Sequence, residues 1–230
     1  MSRCLARFPI WVAAALALCG CSFVAGRHED LTVYSPQLTI AAAVHPASPW
    51  QLIVAEPRAL APLGSDRMVV MPQPGIIEFY KGVRWRDRST LILQELLVRA
   101  FQGGASWDGV SRPESGIRGD FILQSDLRDF QAEYRFASTP TVVVRIDSQL
   151  IDGSTHRIVA SRSVAIERPC ASSAVGIVFS TFEQAVSEAV AQIADWVGES
   201  AAASWRARAT GSGAVKNTAG SARGNVPTPQ

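Results

Sequence analysis

Apolar positions along this chain follow two different periods, and the change of period marks its elements. Leu93, Leu96, Leu97, Ala100 and Phe101 recur at steps of three and four, which predicts a helix that Asp87 or Ser89 can cap and Gly103-Gly104 ends. Val175, Phe179, Phe182, Val186, Ala189, Val190, Ile193 and Val197 form a second such stripe, opened by Ser172 or Ser173 and stopped by Gly198. Between the two helices the period is two. In Phe121 to Asp129, Phe121, Leu123 and Leu127 share one face, while Asp120, Gln124, Asp126 and Arg128 take the other. Val142 to Ile151 alternates in the same way, with Arg145, Asp147 and Gln149 on the wet side. Asp152-Gly153 then turns the chain into Arg157 to Glu167, with Ile158, Ala160, Val164 and Ile166 inward. An Asp-Gly pair between alternating runs is a strong hairpin signal, because both central residues of the tight turn take positive φ.

Shorter apolar runs precede the first helix. Leu52 to Ala55 is ended by Glu56-Pro57, and Arg67 to Met71 and Ile76 to Tyr80 flank the turn Pro72-Gln-Pro-Gly75. Upstream of Trp50, residues 22–49 hold Pro36, Pro46 and Pro49 and show no sustained period, so they read as a tether. Fully stretched, that segment spans roughly 90 Å; as a coil it averages about 30 Å. Leu31 to Tyr34 alternates and has the alternative of docking as a short strand. Beyond Glu199 the chain is Ala, Ser, Gly, Thr and Pro with scattered Arg and Lys, a composition expected to stay disordered. The pattern therefore predicts an α/β fold, a mainly antiparallel sheet with two amphipathic helices packed on one face. It forms a single domain over residues 50–198, followed by a disordered tail over 199–230.

The first twenty residues change the picture. Arg3 and Arg7 precede an apolar run from Phe8 to Leu18, and Leu18-Cys19-Gly20-Cys21 closes it, which are the parts of a secretory signal. A membrane-spanning helix needs about 20 apolar residues, more than this run supplies. Leu, two small residues and Cys resemble the bacterial lipobox. The resemblance implies that residues 1–20 are removed and that Cys21 becomes a lipidated N-terminus; the alternative is a plain secretory signal cut elsewhere. Removing Arg3 and Arg7 leaves 20 basic against 20 acidic side chains. The absence of net charge argues against nucleic acid as a partner, which calls for a basic face. Cys170 is then the one thiol that is neither removed nor lipidated, so no intramolecular disulfide is expected.

Catalytic signatures are scarce. Of the histidines, His28 and His45 fall in the tether and His156 beside the Asp-Gly turn, so none has metal-ligand spacing, and no metal or other cofactor is expected. The chain has no G-x-S-x-G, H-E-x-x-H, S-x-x-K or phosphate loop. These omissions predict a protein that is not an enzyme. The densest charge cluster is Lys81 to Arg88. In it, Arg84, Trp85 and Arg86 fit a surface for a membrane or a partner; the alternative is a solvated loop whose Trp85 packs into the core.

Taken in order, these features resemble the ABC-type transport auxiliary lipoproteins from about Tyr34 to Val197. The resemblance is carried by Leu52-Ile-Val-Ala-Glu-Pro57, Ser65-Asp66-Arg67-Met-Val-Val70, Ile77-Glu-Phe-Tyr80 and Arg84-Trp85-Arg-Asp87. Gly119-Asp-Phe-Ile-Leu123, Leu127-Arg-Asp-Phe130 and Arg157-Ile-Val-Ala-Ser-Arg162 complete it. It implies a non-catalytic partner of a mammalian-cell-entry (MCE) type ABC lipid transporter. Such a protein binds the MCE-domain periplasmic component, sits lipid-anchored in the outer membrane facing the periplasm, and has a homo-oligomer as an open possibility. Ser22 after the lipidated Cys agrees, since Asp at that position favours the inner membrane in lipoproteins of this class. A structural envelope lipoprotein of the cell wall or a secretion complex, and a carrier holding lipid in its own core, are the alternatives.

Overall fold

The computed structural model describes residues 31–39, 48–103 and 107–220 of the chain. Residues from Thr32 onward form one unit, an α/β domain in which a curled sheet carries two helices. Its strands are β1 (Thr32–Tyr34), β2 (Ser48–Val54), β3 (Arg58–Ala59), β4 (Arg67–Gln73), β5 (Ile76–Trp85), β6 (Trp107–Ser111), β7 (Phe121–Glu133), β8 (Thr141–Asp152) and β9 (Ile158–Pro169). The helices are α1 (Ser89–Gly103) and α2 (Val175–Gly220).

The sheet is built around β7. One edge of β7 pairs antiparallel with β8 over its whole length, and β8 pairs antiparallel with β9. The other edge carries three short strands in succession, all parallel to it: β2 beside Phe121–Leu123, β3 beside Asp126–Leu127 and β4 beside Gln131–Glu133. The sheet is therefore mixed: its long pairings are antiparallel, as expected, and the short strands along the other edge of β7 are parallel. Periodicity reports which face a residue occupies but not which way a strand runs. Here residues 52–71 make a single pass along β7, and Glu56-Pro57 and the loop after Ala59 break that pass into three strands of one direction. β5 then returns antiparallel to β4, β1 adds to β5 in parallel, and β6 borders β2.

Alternation in the long strands survives folding with two shifts. Phe121, Leu123 and Leu127 are buried, but the register slips by one at Arg128, so Phe130 and Ala132 take over as core residues. A second slip, between Leu150 and Ile151, turns Ile158 outward at 56% exposure, whereas Val164 and Ile166 stay buried as the pattern requires. The Asp-Gly turn is present, yet its chemistry differs from a two-residue hairpin. The positive φ falls on His156, at 56°. Gly153 is needed because a Cβ there would collide with the Gly119 carbonyl oxygen, and its N–H donates to the Asp120 carbonyl at 2.8 Å.

Both helices lie on one face, and between them and the sheet sits the core. Ser89, expected as a cap for α1, instead donates its hydroxyl to the Leu63 carbonyl, and Thr90 Oγ1 donates to Glu56 Oε1 at 2.7 Å. Ile92, Leu93, Leu96, Leu97 and Phe101 are all buried, and Gln94 among them donates Nε2 to the Val54 carbonyl at 3.0 Å. Such pairing keeps a buried amide from incurring its full desolvation cost.

α2 does not stop at Gly198 but runs on to Gly220, through much of the segment expected to be a disordered tail; residues 221–230 lie outside the described residues. A glycine costs a helix interior only about 1 kcal/mol, and the alanine-rich stretch after it is the best helix-forming composition. Steps of four and three carry the stripe on from Val197 through Ala201 and Trp205 to Arg208. Ala201 is fully buried, and Trp205 stacks on Trp50 at 5.8 Å between ring centroids. Arg208 lies 4.9 Å from the Phe121 ring and 3.1 Å from Asp152 Oδ2. The expected lipid attachment at Cys21 and the signal over 1–20 lie outside the described residues.

Candidate functional site

Trp85 is the last residue of β5, and the two-residue period of a strand sends it one way and its arginine neighbours the other. Its side chain is 2% exposed, within 5.4 Å of Phe130, 5.3 Å of Phe182 and 6.1 Å of Phe179. Trp85 therefore belongs to the core and is withdrawn from the candidate surface formed with Arg84 and Arg86. Those two side chains are exposed. Arg84 Nη1 pairs with Asp66 Oδ2 at 2.8 Å, and the Arg86 N–H donates to the Tyr34 carbonyl at 2.8 Å.

That last bond shows what the segment does: it holds the N-terminal strand. Tyr34 stacks on Phe179 at 4.4 Å, and the Gln37 N–H donates to Glu183 Oε1 at 3.1 Å. Thr39 N–H donates to Ser187 Oγ at 3.2 Å, and that hydroxyl lies 3.3 Å from the Gln37 carbonyl. The segment 32–39, expected as part of a free tether, is fastened along β5 and α2. Ten residues separate Cys21 from Thr32, a length of chain that spans at most about 40 Å.

The sheet face away from the helices carries charge and a groove. Arg128 Nε pairs with Asp147 Oδ2 at 2.8 Å, Arg145 with Asp129 at 3.1 Å, and Arg58 with Asp126 at 3.0 Å. The Ser163 hydroxyl, then Arg128, hold the Asp147 carboxyl below its ordinary range. Where residues 60–63 swing away between β3 and β4, they leave a groove of about 750 Å³. Leu60, Pro62, Val69, Met71, Ile77 and Leu127 supply its apolar lining, with Arg58, Asp126, Arg128 and Asp129 at its rim. Sequence reasoning missed this groove. Its signal was the unbroken run Met68-Val-Val-Met71: a strand apolar on both faces has something to cover on each.

The opposite end of the same strands is set by Asp152. Burial alone would raise its carboxyl, but the Ser154 hydroxyl, the backbone N–H groups of Thr155 and Ser154, and the Arg208 guanidinium outweigh that and hold it at about 2. Elsewhere burial, then Tyr134, pushes the Tyr80 hydroxyl well above its ordinary range, so it stays neutral. Cys170 is a buried free thiol. Among the described residues no cluster of His, Cys, Asp and Glu is suited to a metal ion, and no helix is long and apolar enough to cross a membrane.

Comparison with known proteins identifies this arrangement. The model of the ABC-type transport auxiliary lipoprotein component family matches residues 32–194. Among solved structures, protein XCC0632 from Xanthomonas campestris, of the DUF330 family, is 31% identical, with a TM-score of 0.70. The match covers 76% of this chain and 99% of that one. An uncharacterized protein at 15% identity covers 73% of this chain and 98% of its own with a TM-score of 0.58, which shows the shared fold. No curated protein sequence matches the chain.

Proposed function

The chain belongs to the ABC-type transport auxiliary lipoprotein component family, and from that premise we propose that it is the non-catalytic outer-membrane partner of an MCE-type ABC lipid transporter. The family match over residues 32–194 carries this reading. The chain's chemistry supports it: there is no phosphate loop, so ATP hydrolysis resides in another chain. Cys21 carries the lipid, Ser22 directs the protein to the outer membrane, and the ordered domain meets the periplasmic MCE-domain component. The exposed arginines Arg84 and Arg86 and the edges of the sheet at β6 and β9 are the surfaces offered to it.

The core argues against a carrier that holds lipid between sheet and helices. Phe121, Phe130, Phe182 and Leu123 fill that space and are each at most 3% exposed. If lipid contacts the domain directly, the groove on the open face has the room. Crosslinking in intact cells, followed by pull-down on a C-terminal tag, recovers an MCE-domain protein on this account. Recovery of only cell-wall or secretion components would transfer the reading to a structural envelope lipoprotein.

A further inference from the structure

The strand register places several chain reversals at one end of the sheet. β4 runs parallel to β7 with Met71 beside Glu133, so the β4–β5 turn at Pro74-Gly75 lies next to the β7–β8 turn that follows Tyr134. Met71, Gln73, Pro74 and Gly75 face Glu133 and Arg135 across a shared hollow. The Cys170 N–H donates to the Pro140 carbonyl at 2.9 Å, which ties the entry to α2 to the same end.

This end displays apolar side chains to solvent. Phe136 is 83% exposed, Ile77 50% and Ile76 45%. Phe136 is held outward by its neighbours. Arg135 and Phe136 both take positive φ, 44° and 65°, a conformation that side-chain-bearing residues adopt at a cost. Arg135 is clamped to Glu133 at 2.7 Å and to Glu167 at 2.8 Å, and the Ala137 N–H donates to the Tyr134 carbonyl at 2.6 Å. Pairing with two carboxylates occupies the Arg135 guanidinium and leaves one net negative charge at the base of the turn, while Phe136 projects its ring beyond it. Aromatic and aliphatic side chains at a turn tip suit the layer where headgroups meet acyl chains.

The path of the chain points the same way. β1 is parallel to β5, with Thr32 beside Val83 and Tyr34 beside Trp85. β1 therefore runs away from the Pro74-Gly75 turn, and its first residue, Thr32, is its end nearer that turn. Ten residues separate Thr32 from Cys21, at most about 40 Å of chain. The far end of the sheet, at the start of β7, lies about 40 Å from Glu133 along the strand.

We propose that the end of the sheet formed by the β4–β5 and β7–β8 turns rests in the membrane surface, with Phe136, Ile76 and Ile77 in its interfacial layer. The short link to Cys21 and this second contact together fix the orientation of the domain, so the start of β7 points away from the membrane. The inference rests on the lipid anchor at Cys21. The test uses full-length protein purified from membranes and reconstituted in phosphatidylethanolamine and phosphatidylglycerol vesicles, with an environment-sensitive dye at Phe136→Cys. Cys170 is buried, so the dye goes to the introduced thiol. Ile117→Cys is the control, a 50% exposed apolar residue in the loop before β7 at the opposite end. Brominated lipid should quench the dye at 136 at least twofold and leave the dye at 117 unchanged; Ile76→Cys should behave like 136. Protein that floats with the vesicles yet shows no quenching at 136, or equal quenching at both positions, overturns the orientation and leaves the anchor standing. Protein that neither floats nor carries acyl mass at its N-terminus overturns anchor and orientation together.

Discussion

On the helix-covered face of the sheet, Trp85, Phe130 and Phe182 meet at ring distances of 5.1 to 5.4 Å, and Trp50, Phe121 and Trp205 form a second aromatic group nearer the start of β7. On the open face the same strands carry Arg128, Asp147, Arg145 and Asp129 in ion pairs beside a groove. The first face holds the fold together through buried area and close packing. The second contributes little stability, since exposed ion pairs exchange water for each other at small net gain, and it is free to serve contact with other molecules. Substitutions should separate the two faces cleanly.

Trp85→Ala strikes the packed face hardest. It empties a site beside three phenylalanines and should cost about 4 kcal/mol, a fall of roughly 10 °C in Tm by calorimetry. A loss under about 1 kcal/mol would place Trp85 outside the core. Truncation after Ser204 removes Trp205 from Trp50 and Arg208 from Asp152, and should cost about 2 to 3 kcal/mol. An unchanged denaturation midpoint would return this part of the helix to the status of a loose tail.

Acid sharpens the same contact. The Asp152 carboxyl is held at about 2, below its ordinary 3.8. Its contribution is therefore complete above about pH 4 and is lost as pH falls toward 2, on the order of 1 kcal/mol after allowance for solvent. Asp152→Asn should remove that segment of the stability-against-pH curve in urea melts. If the two curves stay parallel between pH 4 and 2, Asp152 is not the group responsible. Arg128→Ala, on the open face, should move Tm by about 2 °C or less. A larger shift would make the charged face part of the scaffold.

What could be read in advance follows the same division. The helical stripes and the alternation of β7, β8 and β9 reflect one buried face, and a buried face leaves its period in the sequence. Strand direction leaves none, so the parallel pass of β2, β3 and β4 along β7 escaped the reading. Nor does a one-residue slip such as that at Arg128 show until the partner strand is in place. Trp85 was legible: had Arg84-Trp85-Arg86 been taken as the end of a strand, period two would have set the indole opposite both arginines. Alanine-rich residues after Gly198 misled because their composition matches both a solvated tail and a good helix. Only the spacing of Ala201, Trp205 and Arg208 tells the two apart.

If, as proposed, this protein serves lipid transport without supplying its energy, its loss should separate the two. The direct measurement is movement of labelled phospholipid between the inner and outer membranes in cells lacking the protein, set beside ATP hydrolysis by the transporter purified from the same cells. Lipid movement should be lost while hydrolysis continues. Lipid movement at the normal rate in those cells would contradict the proposal.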